Sequence, residues 1–174
     1  MDELTDNNDN GELCECMHLH AETVSINVYA AKASNGNIVA EKLPAFKVGD
    51  NLYRLAASPG LAQNMAKGDV VLYFSKYSPV EIVKRGGNVC VQVYADNISR
   101  QEIIESENEV SEVLGGSTDV WTEKTLSFSV PVSVGFENIE RLFNYYSEKK
   151  SWAWCYGNVY DVDDGVTPLN WWEK

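Results

Sequence analysis

The densest grouping of chemically active side chains in this sequence is Cys14-x-Cys16-x-His18-x-His20, which uses both histidines and two of the four cysteines. Thiolate and imidazole together suit zinc or copper, so a small metal site is the first chemistry to weigh. On an extended strand these four residues share one face, with neighbours about 6.5 Å apart. That interval is too wide for several of them to close on one tetrahedral ion without a bend, and the usual gap between paired zinc cysteines is absent. The motif is expected to be an edge strand or frayed leader, with no cofactor; zinc on Cys14, Cys16, His18 and His20 is the alternative. Catalysis by a Cys–His pair there lacks the rigid walls and third orienting group that activation requires.

Other reactive patterns fail on spacing. Asp161-x-Asp163-Asp164-Gly165 has the acids of a calcium loop, but its glycine falls at position 5 and Trp172 stands where a bidentate Glu is needed. Glycine-rich phosphate cradles do not occur, and Gly86-Gly87 and Gly115-Gly116 are turn and cap signals. Cys90 and Cys155 sit in apolar runs, where cysteine behaves as a small buried hydrophobe. The expectation is a protein that is not an enzyme.

Two groups suit binding. Glu102, Glu105, Glu109 and Glu112 recur at spacings of three to four, which places them on one helix face. Asp161, Asp163 and Asp164 precede Trp171-Trp172, pairing acids with aromatic anchors; the opposing expectation is that both indoles fold back onto the body. Trp121, Trp152 and Trp154 are read as packing residues.

The elements that must position these groups follow from periodicity. The chain has 174 residues and a net charge of −12, with 44% apolar and 23% charged residues, an ordinary globular composition. Residues 1–12 are a polar, acidic leader, expected to be disordered. In the strand-rich half, 13–87, residues 22–32 alternate as a half-buried strand. Asn35-Gly36 then turns the chain into a return run at 37–41. Another strand is expected after Pro44, an irregular excursion over 58–67, and strands at 70–74 and 80–84.

Residues 88–160 read β-α-β-β-α-β. A strand at 88–95 leads to a helix from about Ser99 carrying Ile103, Ile104, Val110, Val113 and Leu114. Strands at 120–125 and 126–134 precede a second helix with Ile139, Leu142, Phe143 and Tyr146 at i, i+3, i+4 and i+7. Trp152, Trp154 and Tyr156 alternate on a closing strand. The expected class is α+β, a strand-rich meander followed by a ferredoxin-like half, then an acidic aromatic tail at 161–174.

The charge is local. Residues 1–20 sum to −6, 97–116 to −4 and 161–174 to −3, leaving the remainder near neutral. Such a field repels nucleic acid and anionic lipid and attracts basic partners. With an acidic start and no long apolar run, neither a secretory signal nor a membrane span is read, and the cytoplasm is the expected location.

Three segments, KVGDNLYRLAASPGLAQNMAKGDVV at 47–71, RGGNVCVQVYAD at 85–96 and WAWCYGNVYD at 152–161, together resemble an uncharacterised bacterial family known only as a domain of unknown function. The resemblance spans about residues 22–161. It implies a Gly-Asp turn, a Gly-Asp-Val strand and an aromatic closing strand, and it carries no activity. By composition the chain also resembles small acidic immunity proteins that neutralise the toxic nucleases of competing bacteria. The expected function is therefore a non-enzymatic binding protein, with an immunity protein covering the active site of a basic nuclease toxin as the specific form. An accessory or regulatory domain of unknown activity, or a small metal-binding protein, is the alternative.

Overall fold

The computed structural model describes residues 23–173, so the leader and the Cys14, Cys16, His18, His20 motif lie outside it. The described chain is α+β, two antiparallel sheets with two helices. The first sheet is a five-stranded meander in sequence order: β1 (Thr23–Lys32), β2 (Ile38–Gly49), β3 (Leu52–Leu55), β4 (Val70–Leu72) and β5 (Glu81–Lys84). Its core face carries Ile26, Val28, Leu43, Ala45, Leu55 and Val71.

One expectation needs correction here. The return run and the strand after Pro44 are a single strand, β2. A proline inside a paired strand normally removes a ladder bond. The Pro44 carbonyl accepts from Ala56 N, on the side where β3 has already ended. The amide of a residue points the same way as its carbonyl in such a strand, so the missing N–H falls just past the last β2–β3 pair, Ala45 with Leu55, and interrupts neither ladder.

The second sheet contains β6 (Asn88–Tyr94), β7 (Ser117–Trp121), β8 (Thr125–Pro131) and β9 (Ala153–Tyr156), in the order β7-β8-β6-β9. Numbered within the half, that is 2-3-1-4, the ferredoxin-like order, with α1 (Arg100–Leu114) and α2 (Phe136–Lys150) as its crossovers. Alternation divides this sheet into two unlike faces. Val89, Val91, Val93, Leu126, Phe128 and Val130 meet Val110, Leu114, Ile139, Phe143 and Tyr146 of the helices. Cys90, Gln92, Ser127 and Ser129 point the other way and are also buried.

The β7 and β8 boundaries fall earlier than the expected 120–125 and 126–134. Thr122 Oγ1 accepts from Lys124 N and Thr125 N, closing a turn in the middle of the first of those spans. On α1, Ser99 and Glu102 form a capping box and Gly115 ends the helix in the left-handed region at φ 61°. Val110 and Leu114 are buried, whereas Ile104 and Val113 lie on the exposed flanks.

Candidate binding surface

The polar face of the second sheet is covered by the irregular segment 56–69, which also adds Ala62 and Met65 to the core of the first sheet. It is a wedge between two layers, and its backbone needs polar partners because most of it is buried away from water. Glu41 supplies both carboxylate oxygens to Gly60 N, Leu61 N and Ala62 N at 2.7–3.0 Å. Gln92 donates to Pro59 O and Ala62 O and accepts from Gln63 Nε2 and Tyr94 Oη. Asp119 accepts from Ser58 N, Ser129 Oγ, Ser117 Oγ and Lys67 Nζ.

Ser58 and Lys67 share this cluster without forming a nucleophile and its base. Ser58 Oγ is wholly buried, bonded to Ser129 Oγ and Lys67 N, while Lys67 Nζ is held by Asp119 and Ser117. The arrangement fastens the wedge.

At the other end, Asp69 accepts from Gly86 N (2.7 Å), Ala66 N (3.0 Å) and Arg85 Nη1 (3.1 Å). Burial raises its carboxyl above the ordinary value, and those donors with the Arg85 charge pull against the rise. Gly86 lies so close to Gly68 that a Cβ would meet the Gly68 carbonyl carbon at 2.3 Å. The Gly-Asp-Val motif and the Arg-Gly-Gly turn are thus one joint.

The acidic helix face is only partly free. Glu102 and Glu105 pair with Lys150 at 3.8 and 3.4 Å, and Glu109 accepts from Tyr146 Oη at 2.8 Å, so these three face α2. Hydrogen bonds from Ser99 lower the Glu102 carboxyl, with Lys150 adding to the effect. Glu107 and Glu112 are exposed.

In the tail, Asp161 and Asp164 accept from the backbone of their own loop, at Asp163 N and at Val166 N and Thr167 N. Asp163 is exposed. Trp171 donates to Asn158 O beneath the Arg85 guanidinium, and Trp172 packs on Phe136 with ring centroids 4.9 Å apart. Both indoles lie against the body, half-buried.

Two aromatic or thiol expectations are overturned. Cys155 is exposed although Cys90 is buried, because β9 is an edge strand and the wedge covers only the strand beside it. Trp121 is 66% exposed at the end of edge strand β7, where it rims a 610 Å³ cleft with Ile98, Ile103 and Ile104.

A second cleft, of 590 Å³, lies between α2, β9 and the loop at 160–166. Trp154, Tyr156 and Tyr160 line it together with Glu140, Asn144 and Asp161. Of these only Asp161 was singled out from sequence as a binding residue. The available signal was the spacing of Trp154 and Tyr156 on one strand face, but Glu140 and Asn144 join them only through the packing of α2. Among the described residues, no group of three or more His, Cys, Asp or Glu could hold a metal ion, and no helix is long and apolar enough to cross a membrane.

Comparison with known proteins agrees with the architecture. No functionally curated protein matches the chain. The fold is similar to a crystal structure described as a hypothetical protein from Neisseria gonorrhoeae, with a TM-score of 0.58 and 18% identity over 79% of this chain and 96% of that one. At that identity the likeness speaks for fold alone. The model of a family described as a domain of unknown function (DUF4265) matches residues 41–154, from within β2 to within β9. That match takes in the wedge, the Gly68–Gly86 joint and both helices, and the chain belongs to this uncharacterised family.

Proposed function

We propose that this chain is a non-enzymatic binding protein that docks a basic protein partner on the face formed by α1, α2 and the 160–166 loop. The observation that carries the reading is charge polarity between the layers. Residues 88–173 hold 15 acids against five Lys or Arg, a net of −10, while residues 23–87 hold four acids against eight bases, a net of +4. Segments of opposite charge thus fall in different layers, the basic one in the first sheet with its wedge and the acidic one in the second sheet with its helices and tail. Such a field steers and orients a basic partner and disfavours nucleic acid.

The specific partner we favour is a toxic nuclease domain met in the cytoplasm, with this chain as its immunity protein. A nuclease holds phosphates with Lys and Arg, and exposed carboxylates such as Glu107, Glu112 and Asp163 can occupy those groups in place of substrate. The test is calorimetric titration of the full chain with a catalytically inactive basic nuclease domain. Raising salt from about 50 to about 200 mM should weaken binding at least tenfold or so, because screening acts on exposed charge. Affinity indifferent to salt, or an interface mapped to the first sheet, would refute the reading.

A further inference from the structure

We infer that the cleft between α2, β9 and the 160–166 loop is a cation site, shaped to take the guanidinium or ammonium head of an arginine or lysine side chain. The inference rests on the basic-partner reading for the source of that side chain, and on the cleft's own geometry for its chemistry.

Three aromatic rings stand around one volume without being parallel. Trp154 and Tyr156 meet at 89° with centroids 5.1 Å apart, and Tyr156 and Tyr160 at 55° with centroids 6.3 Å apart. The first of these contacts is edge to face, and Tyr160 leaves ring surface open to the cleft; a cation within about 6 Å of an open aromatic face is attracted by the ring quadrupole. Core packing accounts for only part of this arrangement. Trp154 also touches Phe143 and Tyr156 also touches Phe136, so each ring completes the core on one side. Tyr160 is more than a third exposed and pairs only with Tyr156 among the described aromatic residues.

The polar groups select for charge. Glu140 on α2 and Asp161 on the loop supply two carboxylates, and among the described residues no Lys or Arg lines the cleft. A neutral aromatic or aliphatic ligand gains no charge attraction from the two acids, whereas a cation meets them at the rim as it meets the rings within. The rings are also held in place beforehand. Trp154 Nε1–H donates to Asn144 Oδ1 at 3.2 Å and Tyr156 Oη to Glu140 Oε1 at 3.4 Å, which reduces the ordering needed on binding.

The protein already makes this contact elsewhere. Arg85 lies 5.5 Å over Trp171 and Lys150 lies 5.3 Å over Trp152, whereas no cation of the described residues sits over Trp154, Tyr156 or Tyr160. At 590 Å³ the cleft is within the range of small-ligand sites, and its position on the surface admits a side chain carried by another protein.

The test follows the Trp154 indole N–H resonance, assigned with W154F, while the full chain is titrated with Nα-acetyl-argininamide. Nα-acetyl-glutaminamide serves as the uncharged control. The arginine probe should shift that resonance saturably and the glutamine probe should not. Y160L, E140Q and D161N should each weaken the arginine probe by about fivefold, the scale of one exposed cation–π contact or ion pair, without a change in melting temperature. D161N is chosen because its amide oxygen can still accept from Asp163 N.

Equal shifts from both probes, unchanged binding by all three variants, or shifts confined to another face would overturn the cation site. A nuclease domain that binds these variants as well as it binds the native chain would also overturn it, leaving the basic-partner reading intact. Arginine binding that depends on all three residues, with no basic protein bound, supports the site and defeats the partner reading instead.

Discussion

Replacing Asp69 with Asn tests whether the joint between the two sheets holds the fold as argued. The substitution keeps shape and removes charge. Asp69 is 0% exposed in its side chain and its partner Arg85 19% exposed, so the pair is largely out of water. One oxygen accepts from Gly86 N, and the other from both Ala66 N and Arg85 Nη1. An Asn amide can satisfy only one of those two sets, and its NH2 group then faces donors. Charged hydrogen bonds are worth about 1.5–3 kcal/mol each, and removing one partner of a buried pair costs about 3–5 kcal/mol. Arg85 keeps bonds to Asn64 O and Oδ1 and some access to solvent, which places the loss near the lower end, at about 3 kcal/mol.

In urea, with a slope of about 2–3 kcal/mol/M for a chain of this size, the midpoint should fall by roughly 1 M. Tryptophan fluorescence and far-ultraviolet circular dichroism should report the same transition. The amides of Gly86 and Ala66 should exchange faster with solvent than those of β6. Replacing Arg85 with Met in the same background should recover part of the loss, because it removes the uncompensated cation. A midpoint change under about 0.3 M at unchanged slope would show that the wedge is held by its apolar contacts alone and would refute the argument.

Three further outcomes follow from particular contacts. Gly86→Ala forces a Cβ against the Gly68 backbone and should cost about 3 kcal/mol, whereas Gly87→Ala, with φ 82° but open space around it, should cost about 1 kcal/mol; thermal melts of the two variants check the contrast. The depressed Glu102 carboxyl stabilises the folded chain above its unfolded pKa and loses that effect as pH falls through the folded value. The difference in melting temperature between native chain and E102Q should therefore be present at neutral pH and vanish in acid. Trp121→Ser, on an exposed ring, should shift stability by less than about 0.5 kcal/mol, while Trp152→Ala should cost about 3–5 kcal/mol, both measured by urea titration.

Local order was legible along the chain because alternation and helical periodicity are properties of neighbouring residues. The meander, the β-α-β-β-α-β order, the start of the first helix near Ser99 and the buried face of α2 could all be read in this way. Pro44 misled the strand assignment because its tolerance depends on where β3 stops, which is a fact about another segment. Trp121 and Cys155 misled the burial assignment for a related reason: apolar residues on edge strands are covered only if another element reaches them, and sequence does not show which strands are edges.

The acidic stripe shows the same division. Spacing alone placed Glu102, Glu105, Glu109 and Glu112 on one face, but only the packing of α2 brought Lys150 and Tyr146 against three of them. Charge was readable as segments along the chain, and folding assigned the basic stretch 23–87 to the first sheet and its wedge and the acidic stretch 88–173 to the second sheet and its helices. The cation cleft needed tertiary structure altogether, since Glu140, Trp154 and Asp161 come from a helix, a strand and a loop. Sequence by itself determined class, element order and overall charge, which depend on composition and local geometry. Tertiary structure alone decided which carboxylates and rings face one another, because those distances are set by how separate elements pack.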